Sequence, residues 1–246
     1  MRSLSWLPGR SPPGPSLPGR SPLGLAGLFS LMMAGPGFAM EFATIPVDST
    51  CNASECRRAV IAEGEITREA PAKFAAFLRQ ELQRPGLHAI VFLNSPGGNV
   101  ESALQLGSLI HDAGAAVVIG RPTLLDSQRP ARRRAGFGQV GVVPGHCASA
   151  CVYVLMGAKK RVVPEGARLG VHRMSARMWR ADPAGGGIQG ERIYAGSSEV
   201  NALRQYVSRV GGSQDLISLA ESVPHDQIRI LSSNEVRRFR LGAPSL

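Results

Sequence analysis

The sequence predicts an α/β fold with a mostly parallel β-sheet and helices at the C-terminal end. Short, continuous apolar runs alternate with stretches of helical periodicity, which is the pattern of strand–helix–strand units covered on both faces. An apolar fraction of 43% in 246 residues is sufficient for one large domain with a buried core. The last apolar segments all have helical periodicity, so the chain is expected to end in helices.

The first half of the domain contains three expected strands and two expected helices. Strands are predicted at 59–62, 88–95 and 115–120, where the residues are continuously apolar. The helix within 63–86 is indicated by apolar residues at helical spacing: Phe74, Phe77, Leu78 and Leu82. A sharp turn then leads into a second helix that ends at Gly114 and has three inward residues: Val100, Leu104 and Ile110.

The second half is expected to contain two inserted loops, a helix that begins at Ser149, and three helices at the C-terminal end. Residues 121–137 interrupt the alternation, and the glycine-rich segment 175–198 is expected to be an irregular, mobile flap. The remaining expected elements are strands at 138–143 and 168–172, helices at 199–210 and 214–222, and a last helix opened by a Ser232–Glu235 capping box.

Residues 1–39 are typical of a targeting segment. The segment carries arginines and no acid, continues into an uncharged apolar stretch, and ends with small residues at Gly37 and Ala39. A cleaved secretory signal peptide is predicted, with an uncleaved membrane anchor as the alternative. If the segment directs export, the mature chain begins near Met40 and lies in an oxidising compartment. A cysteine-containing segment, 40–58, precedes the main domain, 59–246.

The net charge of +10 first suggests nucleic acid as a partner. The arginines are scattered, however, and the only run is Arg132 to Arg134, which is interpreted as a solvated loop face. A single-strand binder needs aromatic side chains within its basic surface, and this pattern is absent from the sequence. No nucleic-acid partner is predicted.

Four cysteines form two close pairs, Cys51 with Cys56 and Cys147 with Cys151. In an exported protein, an even number of cysteines favours disulfides over metal ligation, and four cysteines allow three pairings. Two cysteines four residues apart on one regular helix are poorly oriented for a bridge, unless Cys147 precedes the helix. No histidine lies at ligand spacing from either pair, so no metal is predicted.

Ser149 is a candidate nucleophile because small residues surround it and leave room for a substrate carbonyl. It is expected as the first residue of a helix, where the amide of Ala150 could stabilise an oxyanion. A second donor could come from Gly97 and Gly98, which follow another strand and allow close approach of backbone N–H groups. Both turns lie at carboxyl ends of expected parallel strands, where α/β proteins bind ligands.

Two stretches of the sequence carry a family resemblance. "LNSPGGNVESALQLGSLIHDAG" and "GHCASACVYVLMGAKKRVVPEGARLGVH" resemble the ClpP/crotonase superfamily, and in particular the exported ClpP-like proteins of Gram-negative bacteria. The resemblance implies a fold of repeated ββα units, Gly97 and Gly98 in the oxyanion turn, Ser149 as nucleophile and His172 as base. It also implies a homo-oligomer, a peptide substrate and no cofactor. A location in the periplasm, or at the inner membrane facing it, is a further implication of the resemblance.

The third member of the triad departs from the family's pattern. Pro224 stands where the family has its aspartate, and Asp226 lies two residues further along the chain. Asp226 is the predicted acid, with Asp215 as the alternative. A displaced carboxylate matters because this group holds the imidazole in the required tautomer.

The sequence therefore predicts an exported ClpP-like serine endopeptidase that acts on peptides or unfolded chains without ATP. The alternative is a non-catalytic envelope binding or assembly protein that keeps the cleft but has lost the full triad. Acyl-thioester chemistry, as in crotonases, is less favoured because it needs no serine–histidine pair.

His146 is a rival base, His225 is either structural or positioning, and Ser95 is interpreted as turn chemistry. Membrane association through the N-terminal segment is a further expectation.

Overall fold

A computed structural model of the protein describes residues 38–47, 56–124, 140–181, 185 and 187–245. The strands within these ranges are β1 Glu41–Pro46, β2 Arg58–Glu63, β3 Leu87–Asn94, β4 Ala116–Leu124, β5 Val140–Pro144, β6 His146–Ala148, β7 Lys160–Val162, β8 Arg168–Val171, β9 Ser175–Ala181, β10 Ile188–Tyr194 and β11 Arg229–Ile230. The helices are α1 Ala70–Glu81, α2 Val100–Asp112, α3 Cys151–Gly157, α4 Ser197–Arg209, α5 Gln214–Ser222 and α6 Ser233–Arg238. The predicted α/β class with C-terminal helices is confirmed.

The main sheet has the order β1-β2-β3-β4-β5, with β7 also paired to β4. The pairs β2–β3, β3–β4 and β4–β7 are parallel, whereas β1 and β5 pair antiparallel. A second sheet contains β6 parallel to β8, and β11 antiparallel to β8. A bridge between Ser95 and Cys147 joins the end of β3 to β6. The carboxyl ends of β3, β6 and β8 are therefore neighbours.

The central strands are buried on both faces, as their continuous apolar sequences predict. Alternate residues of β3 enter two different cores, because successive side chains of a strand point to opposite faces. Val91 and Leu93 join the large core that the helices cover, whereas Phe92 joins a smaller core with Val118 and Val162. Burial on both faces fixes the register of these strands and the positions of the turns that follow them.

Helix α3 lies at the centre of the large core, and all seven of its residues are buried. It approaches α2 closely because glycines face each other: a Cβ on Gly157 would overlap the backbone of Gly107. The hydroxyl of Tyr206 on α4 donates a hydrogen bond of 2.8 Å to the carbonyl of Tyr153 on α3. Two helices, α2 and α4, therefore hold α3, and with it the turn that precedes it.

Both segments that were predicted as inserted loops differ from that prediction in the structure. Most of 175–198 is not irregular: β9 and β10 pair antiparallel in a hairpin, followed directly by α4. Of the segment 121–137, residues 121–124 continue β4, and the rest, including the Arg132 to Arg134 run, lies outside the described residues.

The N-terminal region is described only in part. The predicted targeting segment lies outside the described residues, apart from 38 and 39. Strand β1, which the sequence analysis did not predict, pairs with β2 at the edge of the main sheet. Among the helices of the described residues, none combines the length and apolarity needed to span a membrane.

Candidate active site

Ser149 lies in a turn between β6 and α3. The expectation that it begins the helix is wrong, because α3 starts at Cys151 and Ala150 is its N-cap. Ser149 has a φ of 55°, and its N–H donates to the carbonyl of Gly170 on β8 at 2.8 Å. A positive φ is uncommon in residues other than glycine and is enriched at functional sites. The backbone therefore reverses sharply at the predicted nucleophile.

A disulfide encloses this turn. Cys147 and Cys151 are bonded, with Cα atoms 5.2 Å apart, and both residues are fully buried. The predicted disulfide is confirmed for this pair, since Cys147 lies in β6 and not on the helix. Cys56 is also disulfide-bonded, whereas Cys51 lies outside the described residues. The bridge ties the end of β6 to the start of α3 on either side of Ser149.

The glycine turn after β3 packs directly against Ser149. Gly97 has a φ of 104°. A Cβ added there would lie 2.6 Å from the Ala148 carbonyl oxygen and 2.9 Å from the Ser149 Cβ. Only glycine fits this position, because both the backbone conformation and the space exclude a side chain. The N–H of Gly97 donates to the Ser95 hydroxyl at 3.1 Å, which agrees with the interpretation of Ser95 as turn chemistry.

Two backbone amides at this junction, those of Gly98 and Ala150, are candidate ligand donors; Gly98 is exposed, whereas Ala150 is fully buried. Ile66 donates to the Gly97 carbonyl and Asn99 donates to the Ile66 carbonyl, both at 2.7 Å, so the Gly98 amide points away from Ile66. Outside regular helices and strands, no hydrogen bond among the described residues uses the N–H of Gly98 or Ala150. Ala150 N would lie 3.1 Å from a Cβ on Gly97, so the two turns meet at these amides.

A polar network holds the start of β6. Asn94 is 3% exposed; its Oδ1 accepts from the His146 N–H at 2.9 Å, and its Nδ2 donates to Glu63 Oε1 at 3.2 Å. Arg121 Nε donates to the same carboxylate oxygen at 2.7 Å, and this hydrogen bond lowers the pKa of Glu63. This role of Asn94 was not predicted from the sequence. The pattern that could have indicated it is a side-chain amide at the end of an apolar strand.

His172 follows β8 directly, as Ser149 follows β6. The two strands are parallel, with Ala148 opposite Gly170, so both residues emerge at neighbouring carboxyl ends. His172 is half-buried, and its Nδ1 is buried without a hydrogen-bond partner. Burial lowers the pKa of His172, and the nearby charges of His225 and Arg192 lower it further. The imidazole is therefore neutral at neutral pH, as a general base must be.

Neither of the carboxylates that the sequence suggested is among the groups found to contact the His172 ring in the described residues. Asp226 is exposed, and within the described residues no hydrogen bond or ion pair involves its side chain. Asp215 forms an exposed ion pair with Arg238 at 3.8 Å. The ring of His225 contacts His172 edge-on, with centroids 4.4 Å apart. Sequence reasoning named His225 without choosing between a structural and a positioning role.

A pocket of about 420 Å³ opens beside β6, and Ala148 and Gly170 form part of its wall. His146, the rival base, lines this pocket together with Arg121 and Arg168. Partial desolvation and the charge of Arg121 lower the pKa of His146. Among the residues that the structure describes, no cluster of three histidine, cysteine or acidic side chains could hold a metal ion.

Comparison with known proteins gives structural neighbours only. No protein-family model and no curated protein sequence matches the chain. A variant of the 1510-N membrane-bound stomatin-specific protease is 16% identical, covers 72% of each chain and has a TM-score of 0.44. ClpP1 from Listeria monocytogenes is 20% identical, covers 74% of this chain and 88% of its own, and has a TM-score of 0.39.

Proposed function

We propose that this chain is a serine hydrolase that cleaves peptide bonds in peptides or unfolded chains without ATP. The observation that supports this most strongly is the positive-φ turn at Ser149, which packs against Gly97 next to two amides that make no hydrogen bond outside the regular elements of the described residues, those of Gly98 and Ala150. A nucleophile on a sharp turn, with N–H donors next to it, is the arrangement that acyl transfer requires. His172 emerges from the adjacent parallel strand and supplies the base.

The proposed reaction has two steps. Ser149 Oγ attacks the peptide carbonyl, and its proton moves to His172 Nε2 while the amides of Gly98 and Ala150 stabilise the oxyanion. The tetrahedral intermediate collapses, the C–N bond breaks, and the proton on His172 passes to the leaving amine. Water then attacks the acyl-serine ester, with His172 again acting first as base and then as acid, and the carboxylic acid is released.

Asp226, the acid that the sequence predicts, is one candidate for the group that orients His172. A carboxylate in this role would accept a hydrogen bond from His172 Nδ1 and stabilise the imidazolium. Asp226 is exposed, and within the described residues its carboxylate does not bond to His172 Nδ1. An Asp226→Asn variant tests this assignment, because loss of the carboxylate should then slow acylation.

We also propose that the protein is exported, and acts in the periplasm or at the inner membrane facing it. The basic and apolar character of residues 1–39 supports export, and the buried Cys147–Cys151 disulfide fits an oxidising compartment. Membrane association would depend on the same N-terminal segment. Protease protection of the full chain in intact and permeabilised cells tests this location.

Self-association is a further part of the proposal. The β9–β10 hairpin carries large apolar side chains that are 43–72% exposed: Met178, Trp179, Ile188 and Tyr194. Exposed apolar groups concentrated on one hairpin are typical of a surface that another chain covers. Sedimentation velocity of the full chain should show an oligomer, and Trp179→Glu should shift it towards the monomer.

The peptidase is tested with an unstructured, internally quenched peptide and purified full-length protein, without nucleotide. Ser149→Ala should abolish cleavage, because no other group at the turn can form the acyl ester. Ser222→Ala is the matched control, since Ser222 lies at the end of α5 and donates only to the Leu219 carbonyl. Cleavage that survives in Ser149→Ala would refute the assignment of the nucleophile.

A non-catalytic peptide-binding protein is the second candidate. It is favoured by one observation: His172 Nδ1 has no acceptor, so the triad is incomplete as it stands. Such a protein would bind the peptide, as measured by fluorescence anisotropy, with equal affinity in wild type and Ser149→Ala. If both forms bind the peptide and neither cleaves it, the chain is a peptide-binding protein and not a hydrolase.

A further inference from the structure

The Nδ1 atom of His172 needs a partner if His172 acts as a base. When the imidazole takes a proton from Ser149, both of its ring nitrogens become donors. A buried donor on a charged ring is costly when it has no acceptor. Nδ1 of His172 is buried and has no partner at normal hydrogen-bond geometry. The Arg173 backbone favours a charged His172 ring, but its carbonyl already lies 3.4 Å from His225 Nδ1, which leaves the other groups beside the ring as candidate acceptors.

The ring beside it belongs to His225. The two imidazoles meet edge to face, with centroids 4.4 Å apart and an interplanar angle of 63°. Nδ1 of His225 lies 3.4 Å from the carbonyl oxygen of Arg173. A carbonyl can only accept, so Nδ1 of His225 carries the proton in the neutral ring. Its Nε2 then has a free lone pair and can act as an acceptor.

The nearby carboxylate is occupied by other groups. Glu221 on α5 forms an ion pair with Arg173 at 3.4 Å and accepts the Met174 N–H at 3.4 Å. Arg173 also stacks over the ring of Tyr194 at 4.5 Å.

The remaining charged neighbour is a cation. Arg192 on β10 donates to the Ser175 hydroxyl at 2.9 Å, and its charge disfavours a charged His172. Within the described residues, the groups facing His172 are therefore His225, an arginine–glutamate pair and this arginine, with no unpaired carboxylate among them.

We propose that His225 is the positioning residue of this site and takes the role that a carboxylate has in a serine–histidine–acid triad. This inference rests on the proposed hydrolase function. In this role His225 Nε2 accepts a hydrogen bond from His172 Nδ1–H, for which the rings have to rotate out of their present edge contact. The proton from Ser149 stays on His172 until the leaving amine takes it, and His225 remains neutral throughout.

Two neighbouring imidazoles give this site a distinctive response to acid. A protonated His225 can no longer accept a hydrogen bond, and its charge opposes protonation of His172. The reaction then requires both rings to be deprotonated. The logarithm of the acylation rate should fall with pH at a slope approaching about 2 in acid, instead of about 1 for a single base.

The test compares His225→Phe, His225→Asp and the control His88→Gln, in the full chain. His88 is a suitable control because it lies in the opposite end of β3 from the site. Acylation is followed as the rate of labelling by a fluorophosphonate between pH 4.5 and 9, and the histidine rings are titrated by NMR. The NMR titration reports on the His172–His225 contact even when no reaction occurs.

His225→Phe should label on the order of tenfold more slowly, as for lost outer partners that orient an imidazole. Its acid slope should fall to about 1. His225→Asp should recover the rate and raise the titration midpoint of His172. The His172 signal should titrate in two steps in wild type and in one step in His225→Phe, with His88→Gln like wild type throughout.

An unchanged labelling rate, acid slope and His172 titration in His225→Phe would overturn the proposal. So would a titration of His172 that responds to Asp226→Asn and not to His225→Phe, because Asp226 would then be the partner. If wild type is not labelled at all, the hydrolase function fails separately. A one-step titration of His172 in wild type would then overturn the His225 contact as well, and a two-step titration would support it.

Discussion

Replacement of Gly97 by alanine probes the contact between the two turns of the site. Gly97 has a φ of 104°, and an added Cβ would lie 2.6 Å from the Ala148 carbonyl oxygen and 3.1 Å from Ala150 N. Real Cβ atoms do not approach a backbone oxygen this closely, so one of the turns must shift. Such a shift would change the position of the glycine turn relative to Ser149, and with it the proposed oxyanion site.

The expected loss of stability has two parts. A positive φ in alanine costs about 1–2 kcal/mol relative to glycine. Forcing a methyl group into a filled space costs about 1–3 kcal/mol more. Gly114→Ala is the matched control, because Gly114 has a φ of 67° and an added Cβ there meets nothing within 4 Å. Gly97→Ala should therefore lose about 2–5 kcal/mol, and Gly114→Ala only about 1–2 kcal/mol.

Urea unfolding measures the two free energies, and fluorophosphonate labelling reports on the site. A displacement of about 1 Å can slow a positioned reaction by about a hundredfold, so Gly97→Ala should label far more slowly than wild type. Gly114→Ala should label at the wild-type rate because Gly114 lies at the far end of α2. Equal unfolding free energies for the two variants, with wild-type labelling by Gly97→Ala, would refute the reasoning.

Three further predictions concern stability. The double replacement Cys147→Ser and Cys151→Ser should lower the free energy of unfolding by about 2 kcal/mol, because the bridge closes a short loop, and should slow labelling. Tyr206→Phe should lose about 1 kcal/mol, measured in urea, because a buried carbonyl on α3 loses its donor. Stability should fall as the pH drops below 6.5, since the lowered pKa of His172 lets the unfolded chain bind a proton first. Below 4.5 it should fall further, as protonation removes the hydrogen-bonded carboxylate of Glu63.

Each of these predictions has an outcome that contradicts it. Equal stability of the oxidised wild type and the serine double variant would mean that the bridge does not constrain the turn. A Tyr206→Phe protein as stable as wild type would mean that the α3 carbonyl has another donor. Replacement of His172 by glutamine should remove the loss of stability that begins below 6.5, and a loss that persists unchanged would assign it to other groups.

The sequence was sufficient to predict the elements that have a clear apolar or capping pattern. Continuous apolar runs predicted β3 and the parallel sheet, and the capping box predicted the start of α6, where Ser232 and Glu235 bond reciprocally. The β9–β10 hairpin was missed because its sequence is rich in arginine and glycine and lacks a clear alternation. Its pairing depends on contacts between strands, which no local pattern records.

For the candidate site, too, some features could be predicted from the sequence and others could not. The glycines after β3 and the serine after β6 are visible as motifs, because the backbone at a close approach tolerates few residue types. The left-handed conformation of Ser149 is not visible, since it results from the pairing of β6 with β8 and from the disulfide around the turn. The partner of His172 depends on the turn after α5, where His225 and not Asp226 faces the ring.

The most direct test of the proposed function is to identify the residue that a fluorophosphonate modifies. The oxidised full-length protein is labelled at neutral pH, digested, and analysed by mass spectrometry. The account predicts one adduct, on the peptide that carries Ser149, which is lost in Ser149→Ala and retained in Ser222→Ala. No adduct on the folded protein, or an adduct on another serine that persists in Ser149→Ala, would contradict it.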